Sequence, residues 1–218
     1  MSLGLLFRDE LRGFYKSKVM LTLWVGLPVL TLIIYYASPT SQDMSLAAFT
    51  AILIGSIGGM LSAAMLVSSI ISEKSRHVFD LFIIRPVKRR DIVLSKFLAT
   101  YVCVTAAGII ALVFGALFDL ARNGAFTNDV LTVSVNALIM ALSMTAIACS
   151  AGVLIGFFAN SMLTGIILVI YGANQLSVVA ALPGLLVPGQ PLLPLVPGVL
   201  VTALLLAVTI RMFDRKQL

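Results

Sequence analysis

Six hydrophobic segments, with nearly every cation confined to alternate gaps between them, constrain this chain more than any other feature. The segments are Val19–Ala37, Leu46–Ile71, Phe97–Phe118, Val130–Phe158, Met162–Leu182 and, approximately, Leu195–Phe213. Each has about 19 residues or more, enough to cross the roughly 30 Å hydrocarbon core of a bilayer as a helix. The gaps on one side hold Arg8, Arg12, Lys16, Lys18, Lys74, Arg76, Arg85, Lys88, Arg89, Arg90, Lys96, Arg211, Arg215 and Lys216, and those on the other hold Arg122 alone. Lysine and arginine accumulate on cytoplasmic loops, so this asymmetry predicts a multi-pass protein of the plasma (inner) membrane with both termini in the cytoplasm. The first span is taken as retained, because its apolar run is longer than a usual signal core and an amphipathic stretch precedes it.

Composition supports the same class. With 60% of its 218 residues hydrophobic and 11% charged, the chain has more apolar surface than a soluble fold of this size can bury. The net charge of +6 is read as membrane orientation and attraction to anionic lipid headgroups, not as a nucleic-acid footprint, since no soluble domain is left over to carry one. Cys103 and Cys149 both fall inside spans without metal-ligand spacing, and are read as small packing residues.

The residues before the first span have their own pattern. Leu3, Leu6, Phe7, Leu11, Phe14 and Tyr15 recur every three or four positions, with Arg8, Asp9, Arg12 and Lys16 on the other face. This predicts an amphipathic helix over residues 1–18, lying in the membrane interface. Most connections are short. The exception is 72–96, which holds seven cations and an apolar run from Val78 to Ile84, then Pro86 and Lys88-Arg89-Arg90. The pattern predicts a helix from about Glu73 to Ile84, a break at Arg85-Pro86, and a second helix from near Arg89 into the third span. An apolar patch on such a loop needs a cover, either lipid or another protein. Residues 183–197 are apolar but rich in proline and glycine, which predicts a re-entrant hairpin or an outer loop.

The span interiors contain no Asp, Glu, Lys, Arg or His, which argues against a cation-coupled carrier and against an intramembrane hydrolase. His77, the one histidine, is read as solvated or partner-facing. Neutral polar groups do occur within spans: Asn136, Ser143, Thr145, Ser150, Asn174 and Gln175. They are expected to bond between helices, while Asn136, Asn174 and Gln175 are also candidates for lining a substrate path. Small residues cluster in the second span (Gly55, Gly58, Gly59, Ala63) and the fourth (Gly152, Gly156), where they allow close helix approach.

The stretch from Glu73 to Lys96 resembles the loop between spans two and three of ABC-2 type transporter permeases. The match runs through Glu73, Lys74, Arg76, Asp80, Leu81, Pro86, Arg89, Asp91, Ile92 and Lys96, while His77 and Ser95 stand where that family usually has glycine. The resemblance implies a single all-α domain over 1–218, with a cytoplasmic coupling helix in 72–96 that docks on a separate ATP-binding subunit. By that implication Glu73, Lys74, Arg76, His77, Phe79, Asp80, Leu81 and Phe82 are the contacts to that subunit, charged groups around an apolar anchor. The chain has no Gly-x-x-x-x-Gly-Lys-Ser/Thr phosphate loop, so it is not expected to be an enzyme or to bind a cofactor itself, and ATP and magnesium are expected at the partner subunit. One permease would be half a transporter, so a second copy or close paralogue is expected, with membrane lipid around it. The expected function is ATP-driven export of a hydrophobic or amphiphilic substrate. A non-transporting membrane scaffold or assembly subunit is the alternative, with a secondary carrier behind it.

Overall fold

The computed structural model describes residues 3–15, 17–37, 46–76, 89–123, 128–186 and 193–215. Every regular element among them is helical: α1 (Leu3–Tyr15), α2 (Lys18–Ala37), α3 (Leu46–Leu53), a π-turn (Ile54–Gly58), α4 (Gly59–Ser75), α5 (Arg89–Asn123), α6 (Asn128–Phe158), α7 (Met162–Leu168), a second π-turn (Val169–Ala173), α8 (Asn174–Leu186) and α9 (Leu195–Arg215). Five continuous stretches are long and apolar enough to cross a membrane, and α1 with α2, bent by 60° at their junction, provide a sixth if taken as one broken span. The protein is an all-α polytopic membrane protein, as the hydrophobic segments predict.

The junction after α1 has a local cause. Ser17 bonds back to the Phe14 carbonyl at 3.0 Å, and its hydroxyl accepts the Met20 amide at 3.3 Å. That satisfies an otherwise unpaired donor in the first turn of α2.

α6 is the central helix. In its most apolar stretch 67% is buried inside the protein, against 22% for Met162–Val179 and 11% for Leu195–Phe213. The α7–α8 unit and α9 are therefore peripheral, and turn Leu163, Tyr171, Leu200 and Leu204 outward. The small residues of the second and fourth spans face one another. A methyl group on Gly59 would stand 2.9 Å from the Ala148 Cβ, and one on Gly152 would stand 2.7 Å from the Ala63 Cα. Gly55 lies likewise against Met144. The pairs 55/144, 59/148 and 63/152 keep one constant register, so α4 and α6 run parallel, as two spans separated by a return span must. Without a hydrophobic force between helices in lipid, such close backbone approach is what supplies their association.

The hydroxyl groups in the spans mostly serve their own helix, not a neighbour as expected. Thr145 donates to Ala141, Ser143 to Ile139, Ser150 to Ile147 and Thr209 to Leu205, all to carbonyls three or four residues back. A short side chain reaches its own preceding turn more easily than another helix. Ser62 does both, donating to the Gly59 carbonyl at 2.7 Å and lying 3.4 Å from the Cys149 sulfur, while the Tyr101 hydroxyl crosses to the Leu142 carbonyl at 3.5 Å.

Two boundaries differ from expectation. Residues Glu73–Ser75 close α4 and do not open a new helix, because the apolar stripe of Leu66 and Ile70 carries the second span one turn further. The rest of the expected helix, to Ile84, and the expected break at Arg85-Pro86 fall in 77–88, outside the described residues. The irregular stretch expected at 183–197 is also narrower. α8 runs through Pro183 to Leu186, and α9 already contains Pro197 and Gly198. Proline in a first helical turn loses no bond, since its missing N–H would have no partner there. Gly198 also lets α9 reach α6, where a methyl group would stand 2.7 Å from the Ser143 Cβ.

A buried ion-pair node at the charged end of the bundle

One end of the bundle gathers α1, the last turn of α4, the first turns of α5, the α6–α7 turn and the last turns of α9. The α6–α7 turn is closed by a 2.7 Å bond from the Ala159 amide to the Ile155 carbonyl, and Ser161 caps α7 by accepting the Thr164 amide at 3.2 Å. Lys74 reaches across to that turn, with its Nζ 3.2 Å from Asn160 Oδ1 and 3.5 Å from the Ala159 carbonyl. The Phe157 and Phe213 rings lie 4.7 Å apart and bring in α9.

At the centre of this end lies Lys96. Its side chain is 1% exposed, yet it is charged and paired twice. Its Nζ lies 2.7 Å from Glu10 Oε1 on α1 and 2.6 Å from Glu73 Oε1 on α4. Ser69 donates a further bond to Glu73 at 3.1 Å. An unpaired ammonium at this depth would cost several kcal/mol. Two carboxylates, each still 26% exposed, offset that cost while keeping their own contact with water.

Helix geometry explains why these three charges converge. Each lies on the apolar stripe of its own helix. Glu10 falls between Leu6 and Phe14 at spacings of four, Glu73 continues Leu66 and Ile70, and Lys96 falls among Ile92, Val93, Thr100 and Cys103. A charge on an apolar stripe is carried inward with it. Around the node Phe14, Ile92, Val93 and Phe97 are buried together, with Phe7 and Leu11 packed against them.

Of the residues expected to contact an ATP-binding subunit, Glu73 faces inward onto Lys96, Lys74 faces the α6–α7 turn, and Arg76 is exposed just after α4. His77, Phe79, Asp80, Leu81 and Phe82 lie outside the described residues. Asn136 is half-buried on α6, Asn174 is half-buried at the start of α8, and Gln175 beside it is exposed. The Asn174 Oδ1 is buried without a hydrogen-bond partner. No hydrogen bond joins Asn136 to either of these amides among the described residues. Sequence reasoning missed Glu10 and undervalued Lys96. The available signal was an acidic residue on the apolar face of an amphipathic helix. No group of three or more His, Cys, Asp or Glu able to hold a metal occurs among the described residues.

The fold and this end together define a multi-pass helical membrane protein with uncharged span interiors and most of its cations gathered at one base. A family model described as ABC-2 family transporter protein matches residues 22–209, and the chain belongs to that family. It is a membrane-spanning permease component of an ABC transporter, a class that associates with an ABC ATP-binding subunit. A search of curated proteins found no match.

Proposed function

We propose that this permease is half of an ATP-driven exporter of hydrophobic or amphiphilic cargo. Two copies, or one copy and a close paralogue, enclose the path, and both termini lie in the cytoplasm. The ATP-binding subunit docks on the segment between α4 and α5, with Phe79, Leu81 and Phe82 as the apolar anchor and Arg76, His77 and Asp80 around it. Magnesium and ATP belong to that subunit. Its closure on nucleotide moves the docked segment and reorients the path between copies.

The observation that carries this reading is the arrangement of charge. The spans offer no Asp, Glu, Lys, Arg or His in their interiors for ion coupling, and the cations lie where a cytoplasmic partner would meet the protein. An uncharged interior also suits apolar cargo.

The test uses the permease reconstituted with its ATP-binding subunit. Phe79→Ala and Asp80→Lys should each abolish co-purification or separate ATP hydrolysis from cargo movement. Full co-purification and coupled transport in both variants would refute the docking assignment. Glu73 is a poor choice for this test, because replacing it also breaks its pair with Lys96.

A further inference from the structure

We infer that Lys96 is a positioning residue that locks the amphipathic helix α1 to the base of the α4–α5 segment, so that the three helix ends move as one body. The inference rests on the proposed function only for what drives the movement. The lock itself is a property of this chain.

The argument begins with what holds α1. It meets the bundle along one face, through Phe7, Leu11 and Phe14 against the first turns of α5. Apolar contacts at a membrane interface specify position weakly, since lipid competes for the same surface. The Glu10–Lys96 pair is different. It is short, at 2.7 Å, it is directional, and its cation has no access to water that could replace the carboxylate. Sliding α1 by one turn would leave a buried ammonium short of a partner. Buried polar pairs of this kind fix register more than they add stability.

The same ammonium holds Glu73 at 2.6 Å. Glu73 is two residues from the end of α4 and Lys96 is in the second turn of α5, so the pair closes the base of the 77–88 segment. A load applied to that segment therefore reaches α1 through this ammonium as well as through the apolar contacts with α5. Lys74, the next residue, ties the same turn of α4 to Asn160, which extends the body to the α6–α7 turn. None of these links depends on the middle of the membrane, where the contacts are apolar and uncharged. The node is thus placed to pass a displacement sideways along the cytoplasmic base.

The experiment measures whether the two outer helix ends move together. Nitroxide labels are placed at Leu5→Cys on α1 and Ser75→Cys on α4, both exposed positions, with Cys103 and Cys149 replaced by alanine. The full chain is reconstituted in vesicles of phosphatidylethanolamine and phosphatidylglycerol. Distance distributions are recorded for the permease alone, and for its complex with the ATP-binding subunit before and after vanadate trapping. In the parent, the distribution should be narrow and should keep its mean through the nucleotide cycle. Glu10→Gln, which removes one arm and leaves the Lys96–Glu73 pair, should broaden it even without the partner. Lys96→Arg in the parent should keep the narrow distribution, because a guanidinium can serve both carboxylates.

A broad distribution in the parent, or an equally narrow one in Glu10→Gln, would overturn the inference. The permease-alone arm decides this whether or not a partner ATPase acts on the protein. A failure of the docking proposal alone would appear as an absence of any nucleotide-dependent effect in the complex. In the coupled complex, Glu10→Gln should lower cargo moved per ATP hydrolysed about tenfold, within the range found for residues that carry coupling. A lowered melting temperature with an unchanged ratio would mean that the pair only stabilises the fold, and would also overturn the inference.

Discussion

At the residue scale, small volumes and single charges decide the packing. Gly152 faces the backbone of Ala63, where a Cβ would approach to 2.7 Å of the Cα. Backbone cannot yield as a flexible side chain can. Gly152→Ala should therefore destabilise the protein by about 1–3 kcal/mol through overpacking, measured by thermal or denaturant unfolding in detergent. Gly26 on α2 has nothing within 4 Å of its would-be Cβ, so Gly26→Ala should be neutral or gain up to about 1 kcal/mol from helix propensity. Equal effects at the two glycines would contradict the α4–α6 ladder. Lys96→Ala deletes a large buried side chain and leaves two carboxylates without their cation, and should cost about 2–5 kcal/mol, read by the same unfolding measurement. A loss below about 1 kcal/mol, the level of a surface pair, would mean that the ammonium is not buried as described.

At the element scale, α1 packs against the bundle along one face. Its Phe14 is 4% exposed and shares a cluster with Met20, Ile92 and Phe97. Phe14→Ala should weaken that attachment by about 3–5 kcal/mol, the range for burying and then deleting a large aromatic. Hydrogen exchange should report the loss as faster exchange across Leu3–Tyr15, with the amides of α6 unchanged. Uniform acceleration through α6 would show that α1 is integral to global stability and not a separable element. The two π-turns belong to this scale as well. Each accommodates one extra residue in a helix. The first, Ile54–Gly58, contains two buried glycines, and the second, Val169–Ala173, ends where Asn174 begins. Neither was legible beforehand, because a one-residue shift in an all-apolar helix leaves no change of pattern to detect.

At the scale of the whole molecule, the parallel contact of α4 and α6 and the convergence of five elements on one end fix which loops share a side. Cysteines introduced at Ser75 and Ser161 should be modified by an impermeant thiol reagent from the same face, and one at Ala125 from the opposite face. Modification of Ser75→Cys and Ala125→Cys from one side would break the alternating topology. The positive-inside asymmetry predicts that the face shared by 75 and 161 is the cytoplasmic one.

Much of this was legible in the sequence. Long apolar runs in a solvent that offers no hydrogen bonds can only be helices, so the all-α polytopic class followed from hydropathy alone. The family was carried by the residues from Glu73 to Lys96. The start of α5 at Arg89 was readable from the proline before it and the apolar run after it. What hydropathy could not supply was partnership. That Gly59 meets Ala148, that Thr145 bonds its own helix, and that Glu10 and Glu73 share one lysine depend on which faces of which helices meet. Faces are set by packing among helices that are apolar all round and so carry little amphipathic signal. One-dimensional pattern thus determined that the chain is a bundle of apolar helices and where along it most of its charges fall. Only the tertiary structure decided which of those charges leave water, because desolvation depends on neighbours that lie far apart in the chain.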